Sequence, residues 1–504
     1  MTIFKGAVSV YTLLLLFLFS HSLAAEPASV FYFSPNCVEA QKHIAALRLN
    51  KAAQLLTEEK AANPNNAAVY FLENHVDFYR LVTSQDFSII KNMDLQKEAR
   101  FDKIRSIPAS SPYRLYSESE MYLQFAFAKV FNSEYVGAML AFRNAYNLAK
   151  ENQQKFPTFK HNLKTIGMFK ALLGTAPRSY RWMLSVAGLK GDFEGGVTML
   201  EQYVKSNFTS DQRLDQQNAT FYYTLLQLNF GDKEVAISFC RNSTEDYPTN
   251  LLSCYLRAFV ASKTAQTDEA IKVLTNRPKT NDYEPFPALE YYLGLCKLNR
   301  LDDDADIHFK KFTSNFKGKL FMKDAYRRLY WFYLVKNEPE KANAYKLMSK
   351  KYGTSNSEED KNVQREIEQG VSPDIILLKA RLLCDGGYYV RAEEVIKQHR
   401  IEDLKTDYQK LEYHYRYGRI LHELNKWSKA TEYYGYVIKH SPTNTPYYFA
   451  PNACLQMGYI YKKLGFNHIA TSHFANVKKY SNAEYIQNFE VRAEKEIERL
   501  QSHH

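Results

Sequence analysis

Residues 411–442 read LEYHYRYGRILHELNKWSKATEYYGYVIKHSP, and the spacing of four residues within them decides the fold. Gly418 stands twelve positions before Ala430, the bulky Tyr434 follows four later, and Pro442 comes twelve after Ala430. Two antiparallel helices joined by a short turn approach closely only where neither carries a large side chain. A bulky residue one turn later fills the space beside that crossing, and a proline stops the second helix. The stretch therefore predicts one helical hairpin.

The same register recurs along the chain. Ala40, Ala52 and Leu56 repeat it, as do Ala126, Ala138 and Phe142; Ala258, Ala270 and Leu274; Ala380, Ala392 and Ile396; and Gly458, Ala470 and Phe474. Thr224 precedes Ala236 and Cys240 in a seventh unit, and Gly294 precedes Ala305 and Phe309 in an eighth shortened by one residue. Pro64 and Pro248 close their units as Pro442 does. These positions resemble the tetratricopeptide repeat, a helix-turn-helix unit of about 34 residues. The second small residues at 236, 270, 305, 342, 392, 430 and 470 are separated by 34, 35, 37, 50, 38 and 40, so insertions interrupt the array. The expected fold is all-α, a right-handed superhelical α-solenoid of such hairpins. It divides into 26–352, a polar insertion or hinge at 353–371, and 372–504.

Composition agrees. The chain has 19 Gly in 504 residues, below the usual usage of about 7%, and this disfavours loop-rich, sheet-rich and nucleotide-cradling folds. Its 38 Tyr and 32 Phe against 3 Trp supply rings to wedge between repeats. The formal charge of +11 does not imply nucleic acid, because no Lys or Arg run exceeds two residues and acidic stretches such as Asp302 to Asp304 interrupt them.

At the N-terminus, Lys5 precedes an apolar stretch from Val10 to Phe19, and small residues reach Ala25 before Glu26-Pro27. This reads as a cleaved secretory signal over residues 1–25, since the apolar core is too short for a span of about 20 residues. The mature chain is then exported, periplasmic or secreted, without a stable transmembrane segment. Six cysteines (37, 240, 254, 296, 384, 454) lack zinc-ligand spacing and read as buried thiols, although an exported Cys240–Cys254 disulfide is permitted.

A second resemblance rests on residues 167–203, GMFKALLGTAPRSYRWMLSVAGLKGDFEGGVTMLEQY. Pro177, Gly188, Gly191, Asp192, Gly196 and Leu200 fall where a characteristic block has them in the family of eukaryotic tetratricopeptide repeat protein 39 and the yeast inclusion-body clearance protein. The terminal helix with Glu490 and Arg492 is similar too. The resemblance implies the fold and a non-enzymatic scaffold role. The export signal departs from that family, so its intracellular, lipid-droplet-linked role is not carried over.

Catalytic motifs are absent from the sequence. His422-Glu423 begins an HExxH that Lys426 fails to complete, and no GxSxG or GxxxxGK[ST] occurs. The glycines at 188, 191, 195 and 196 follow no strand and suit a tight inter-helix turn better than a dinucleotide. No cofactor or metal is expected. The first helix of each repeat in such a solenoid lines a concave groove. There Tyr415, Arg419 and His422 share one stripe, with Leu455, Tyr459 and Lys462 equivalent in the next repeat and Leu377, Arg381 and Cys384 in the previous one. Facing inward, they form an aromatic and basic groove for an extended peptide or a carboxylate-bearing ligand; the competing reading is a solvated helix face with its rings packed between repeats. The expected function is an exported, non-enzymatic scaffold binding a protein or peptide, not nucleic acid. A SusD-like carbohydrate-binding protein is the alternative, against which stand the apolar setting of Trp182, Trp331 and Trp427 and the lack of a lipid-attachment cysteine.

Overall fold

The computed structural model describes residues 29–176, 188–355, 357–370 and 372–502. The expected signal segment, Pro177 and Trp182 lie outside the described residues. Twenty-four α-helices and no strand occur among those residues, apart from one isolated bridge between Val30 and Asn66.

The helices pair in chain order as hairpins. They are α1 (Pro35–Ala45) with α2 (Leu49–Ala62), α3 (Ala67–Ser84) with α4 (Phe87–Arg105), α5 (Pro112–Phe131) with α6 (Tyr135–Lys155), and α7 (His161–Gly174) with α8 (Phe193–Val204). Next come α9 (Arg213–Phe230) with α10 (Lys233–Ser243), α11 (Leu251–Lys263) with α12 (Thr267–Thr275), α13 (Ala288–Arg300) with α14 (Ala305–Asn315), and α15 (Met322–Val335) with α16 (Pro339–Lys351). A single helix α17 (Glu358–Gln369) intervenes. The array resumes with α18 (Ile375–Asp385) and α19 (Tyr389–Ile396), α20 (Asp407–Glu423) and α21 (Trp427–His440), and α22 (Phe449–Lys463) and α23 (Asn467–Asn476), and α24 (Ile486–Ser502) covers its end. The architecture is the expected all-α solenoid of helical hairpins.

The small residues sit at the crossings, and their bulky partners stand directly on them. A Cβ added at Gly418 would lie 2.9 Å from the Tyr434 ring, and one at Gly458 would lie 2.4 Å from Phe474. Ala52, Ala270, Ala392, Ala430 and Ala470 are fully buried. Prolines end second helices as expected, with α2 stopping two residues before Pro64 and α21 two before Pro442. In the α7–α8 pair the backbones themselves touch: a Cβ on Gly196 would come 2.3 Å from the Ala171 nitrogen and 2.6 Å from the Gly167 carbonyl. That contact explains Gly167 and Gly196 as packing residues.

Most hairpin turns share one geometry. Three residues connect the helices and the middle one is left-handed: Leu47, Ser133, Ala265, Asn337, Gly387, Asn425 and Gly465 all have positive φ. The following N–H bonds back five residues, as Lys426 does to the Leu421 carbonyl at 2.8 Å and Tyr388 to Leu383 at 2.8 Å. This is the Schellman closure, which satisfies the last carbonyls of the first helix. Glycine fills few of these positions, which is one reason the chain is poor in it.

The path is not a simple stack. The turn of the first hairpin docks on later loops, where Glu284 N–H donates to the Leu47 carbonyl at 2.7 Å. Residues 353–371, expected as a polar excursion or hinge, contain α17, which packs on α15. The Asp360 carboxylate of α17 accepts from the Phe321 N–H at 2.7 Å, the Asp324 N–H at 3.0 Å and the Ser357 hydroxyl at 2.7 Å, so it caps α15 from outside. With α17 in place, α18 packs against α13 as well as α15, and the Gly387 turn meets the Ala265 turn.

Two measurements test this account. Gly387 has φ +87° and a Cβ there would lie 2.1 Å from the Ala265 carbonyl oxygen, whereas Gly465 has φ +82° and nothing within 4 Å. Gly465→Ala is expected to cost only the left-handed penalty, about 1 kcal/mol, and Gly387→Ala at least ~1 kcal/mol more; equal urea midpoints would contradict the turn contact. Burial, with Asp324 nearby, pushes the Asp360 carboxyl up to about 6. A raised folded value means that this group's contribution is present at acid pH and fades as pH rises through 6. Wild type should therefore gain about 1 kcal/mol over Asp360→Asn between pH 7.5 and pH 5, and a pH-independent difference between the two would show that the Asp360 carboxyl is not desolvated in the folded chain.

Candidate functional site

The predicted stripe divides into wall and surface. At its first position Leu377, Tyr415 and Leu455 are buried between repeats; the Tyr415 ring packs on Tyr448 and Phe449, and its hydroxyl accepts from Asn452 Nδ2 at 2.6 Å. The second position, Arg381, Arg419 and Tyr459, is half-buried. Arg419 Nη1 donates to Asp385 Oδ1 at 2.9 Å, and Arg381 Nε lies 3.8 Å from Asp385 Oδ2. Burial alone raises the Asp385 carboxyl, but Arg419, Arg381 and Arg416 hold it below the usual carboxylate range. Arg381 also stacks over the Trp331 ring, 4.7 Å from its centroid, beside Arg327 and Arg328 on the same ring. At the third position Cys384 is buried, His422 is half-buried with its imidazole pushed down by burial, and Lys462 is paired with Glu496 of α24.

The last helix of the array meets its middle. Lys495 of α24 donates its ammonium to the Phe230 carbonyl at the end of α9, covers the Phe193 ring at 3.3 Å and lies 3.8 Å from Glu194, which Arg499 also approaches at 3.7 Å. Burial first, and Arg499 next, lower the Lys495 ammonium to about 8. A pocket of about 620 Å³ opens along the seam, floored by Leu173, Leu189, Phe193, Phe230 and Val491. Lys233, the first residue of α10, is exposed, yet burial and then Arg492 and Arg419 depress its ammonium.

A second polar cluster was not visible in the sequence pattern. Lys164 of α7 is completely buried and donates to Asp215 Oδ1 at 2.6 Å, Glu120 Oε2 at 2.9 Å and the Tyr116 hydroxyl at 2.7 Å. His161 Nδ1 lies 3.1 Å from Asp215 Oδ2 and 2.9 Å from the Tyr203 hydroxyl, and Thr165 donates to Glu120 Oε1 at 2.7 Å. Burial works against the Lys164 charge, but Asp215 and Glu120 hold its ammonium above the usual range. With no exposed atom on Lys164, this cluster ties α5, α7, α8 and α9 together and offers nothing to a ligand. The polar run His161-Asn162-Leu163-Lys164-Thr165 at the start of an otherwise apolar helix was its only trace.

The comparisons with known proteins assign no family. No family model matches the chain, and no curated protein matches its sequence. Among solved structures, the human IFIT1 dimer with PPP-AAAA is 11% identical, with 88% of this chain and 82% of that chain covered at a TM-score of 0.30. An APC/C hetero-tetramer, Cut9–Hcn1, is 13% identical over 93% of this chain and 90% of that chain at 0.23. Likeness this distant transfers neither ligand nor partner, and the fold rests on the chain's own helices. Among the described residues, no helix is long and apolar enough to cross a membrane, and no three His, Cys, Asp or Glu side chains gather as metal ligands would.

Lys164→Met leaves Glu120 and Asp215 buried without their cation. It should cost about 3–5 kcal/mol of unfolding free energy, and adding Glu120→Gln and Asp215→Asn should recover part of it. A single-variant loss below about 1 kcal/mol would mean that the cluster is open to water.

Proposed function

We propose that this chain is a non-enzymatic interaction scaffold that holds an extended segment of a protein partner against the inner face of α18, α20 and α22. The observation that carries this reading is the pairing of two half-exposed guanidiniums, Arg381 and Arg419, on the single carboxylate of Asp385. One carboxylate between two arginines leaves donors directed at the interior, where a carboxylate or backbone carbonyl of a partner completes their hydrogen bonds. The half-buried Tyr459, at the same position of the stripe in the next repeat, gives such a segment a ring to stack on. The mixed polar and aromatic character of this face suits a chain segment better than a buried small substrate.

Export through residues 1–25 belongs to the same reading, supported by the apolar stretch Val10 to Phe19 and the small residues ending at Ala25. Kinship with the family of tetratricopeptide repeat protein 39 is supported by residues 167–203, whose Gly167 and Gly196 allow the backbone contact between α7 and α8.

Crosslinking capture from the envelope or secreted fraction tests the groove. The double variant Arg381→Gln/Arg419→Gln, checked for an unchanged melting temperature, should lose most of the partner set recovered with wild type. An identical partner set would remove the inner face from the function, and recovery of the chain only from the cytoplasm would remove export.

A further inference from the structure

One helix of the array turns an apolar face outward. In α6 the buried side chains of Ala138, Ala141, Ala145 and Ala149 mark the side that packs on the core. Away from that side, Tyr135, Val136, Met139 and Leu140 are 59%, 71%, 60% and 55% exposed, and they share one arc over the first two turns. At the same end of the hairpin Phe127 and Val130 of α5 are exposed as well. Residues 135–142, YVGAMLAF, carry no charge, and the Tyr135 hydroxyl is their one polar side-chain group.

The other hairpins show what this place ordinarily holds. Two residues before and two after the second small residue lie on the outward side of the second helix. From α10 to α21 each hairpin has an exposed acidic residue at one of them: Glu234, Asp268, Asp303, Glu340, Glu394 and Glu432. In α6 both positions are apolar, Val136 and Leu140. The repeat itself does not require hydrophobic side chains here, and single exposed residues scattered over a surface do not account for four on one arc.

Area and charge identify what covers the face. The four side chains of α6 leave on the order of 500 Å² bare, the size of the largest apolar patch on a monomer. Two copies joined through it remove about 1,000 Å², enough for a specific interface. The charges at its two ends are opposite. Glu134 precedes it, and Arg143 follows it, exposed and in no ion pair among the described residues. In an antiparallel pair of helices centred on the patch, Tyr135 stands opposite Leu140 of the second copy and Val136 opposite its Met139. At a rise of about 1.5 Å per residue, Arg143 is then offset by only ~3 Å along the axis from Glu134 of the second copy. Glu134 accepts from Lys129 at 2.8 Å and from Asn132, and its carboxylate still has lone pairs for a guanidinium. A lipid surface fits less well, because the exposed Asn132, Ser133 and Glu134 of the turn would enter the bilayer ahead of the apolar side chains.

We propose that the outward face of α6 is a homodimer interface, where α6 packs antiparallel on α6 of a second copy of this chain across a two-fold axis. Such an axis makes the surface complementary to itself: apolar residues meet at the centre, and Glu134 meets Arg143 at both ends. A parallel pair would set Arg143 against Arg143. The proposal goes beyond the groove reading, because it uses a different helix and needs no other polypeptide.

Sedimentation equilibrium of the full chain tests it. At micromolar concentration wild type should show twice the mass of the chain. Leu140→Glu and Val136→Glu should show the monomer mass while keeping the helical circular dichroism of wild type; both side chains are exposed, and either variant that folds decides the point. Arg143→Glu and Glu134→Arg should each weaken self-association at least tenfold, and an equimolar mixture of the two should regain the dimer, since both ends then pair opposite charges. A monomeric wild type, a folded Leu140→Glu or Val136→Glu chain that remains dimeric, or a mixture no tighter than its components would overturn the proposal. A wild type that stays monomeric and floats with anionic lipid vesicles would assign the face to a membrane instead.

Discussion

Everything in this molecule follows from how closely two helices can approach within a hairpin. An alanine or glycine on each helix lets the axes close, and the ring or branched side chain one turn later then rests on the neighbouring backbone, as Tyr434 does on Gly418 and Phe474 on Gly458. That contact removes a large apolar surface from water, at about 1.5–3 kcal/mol per fully buried side chain. Repeated along the chain, it explains why so many aromatic residues are consumed by the core. It also requires short connections, and the left-handed middle residue of each three-residue turn supplies them.

Hairpins of this kind bury one face locally and leave another for the next unit, so stacking decides the rest. Here α17 is inserted between two hairpins of the stack. Its Asp360 satisfies the free N–H groups at the start of α15, and α18 consequently packs against α13. The terminal helix α24 reaches α8 and α9 through Lys495, which meets the Phe230 carbonyl and the Phe193 ring. Burial there, with Arg499 beside it, lowers the Lys495 ammonium to about 8.

The buried charges play two different parts. Around Lys164 every partner is supplied by the chain itself, with Glu120, Asp215 and Tyr116 all in contact, and the result is a tie between four helices. At the seam Lys495 is half-buried and meets a backbone carbonyl and a ring, those of Phe230 and Phe193, so it joins the last helix to α8 and α9.

What could be read from the amino acids was whatever depends on near neighbours in the chain. The twelve-residue interval between Ala40 and Ala52, or Gly418 and Ala430, is set within one hairpin, so the repeat register, the all-α class, the helix-stopping prolines and the placement of Arg381 and Arg419 along one line were all legible. Tyr415 lay on the same line, but its depth was not readable, because only the next repeat's Tyr448 and Phe449 enclose it. The closure through Lys495 and the docking of α17 join residues tens to hundreds of positions apart. No spacing encodes such meetings; they are decided by the summed twist of the stacked hairpins and by which charges that twist brings face to face.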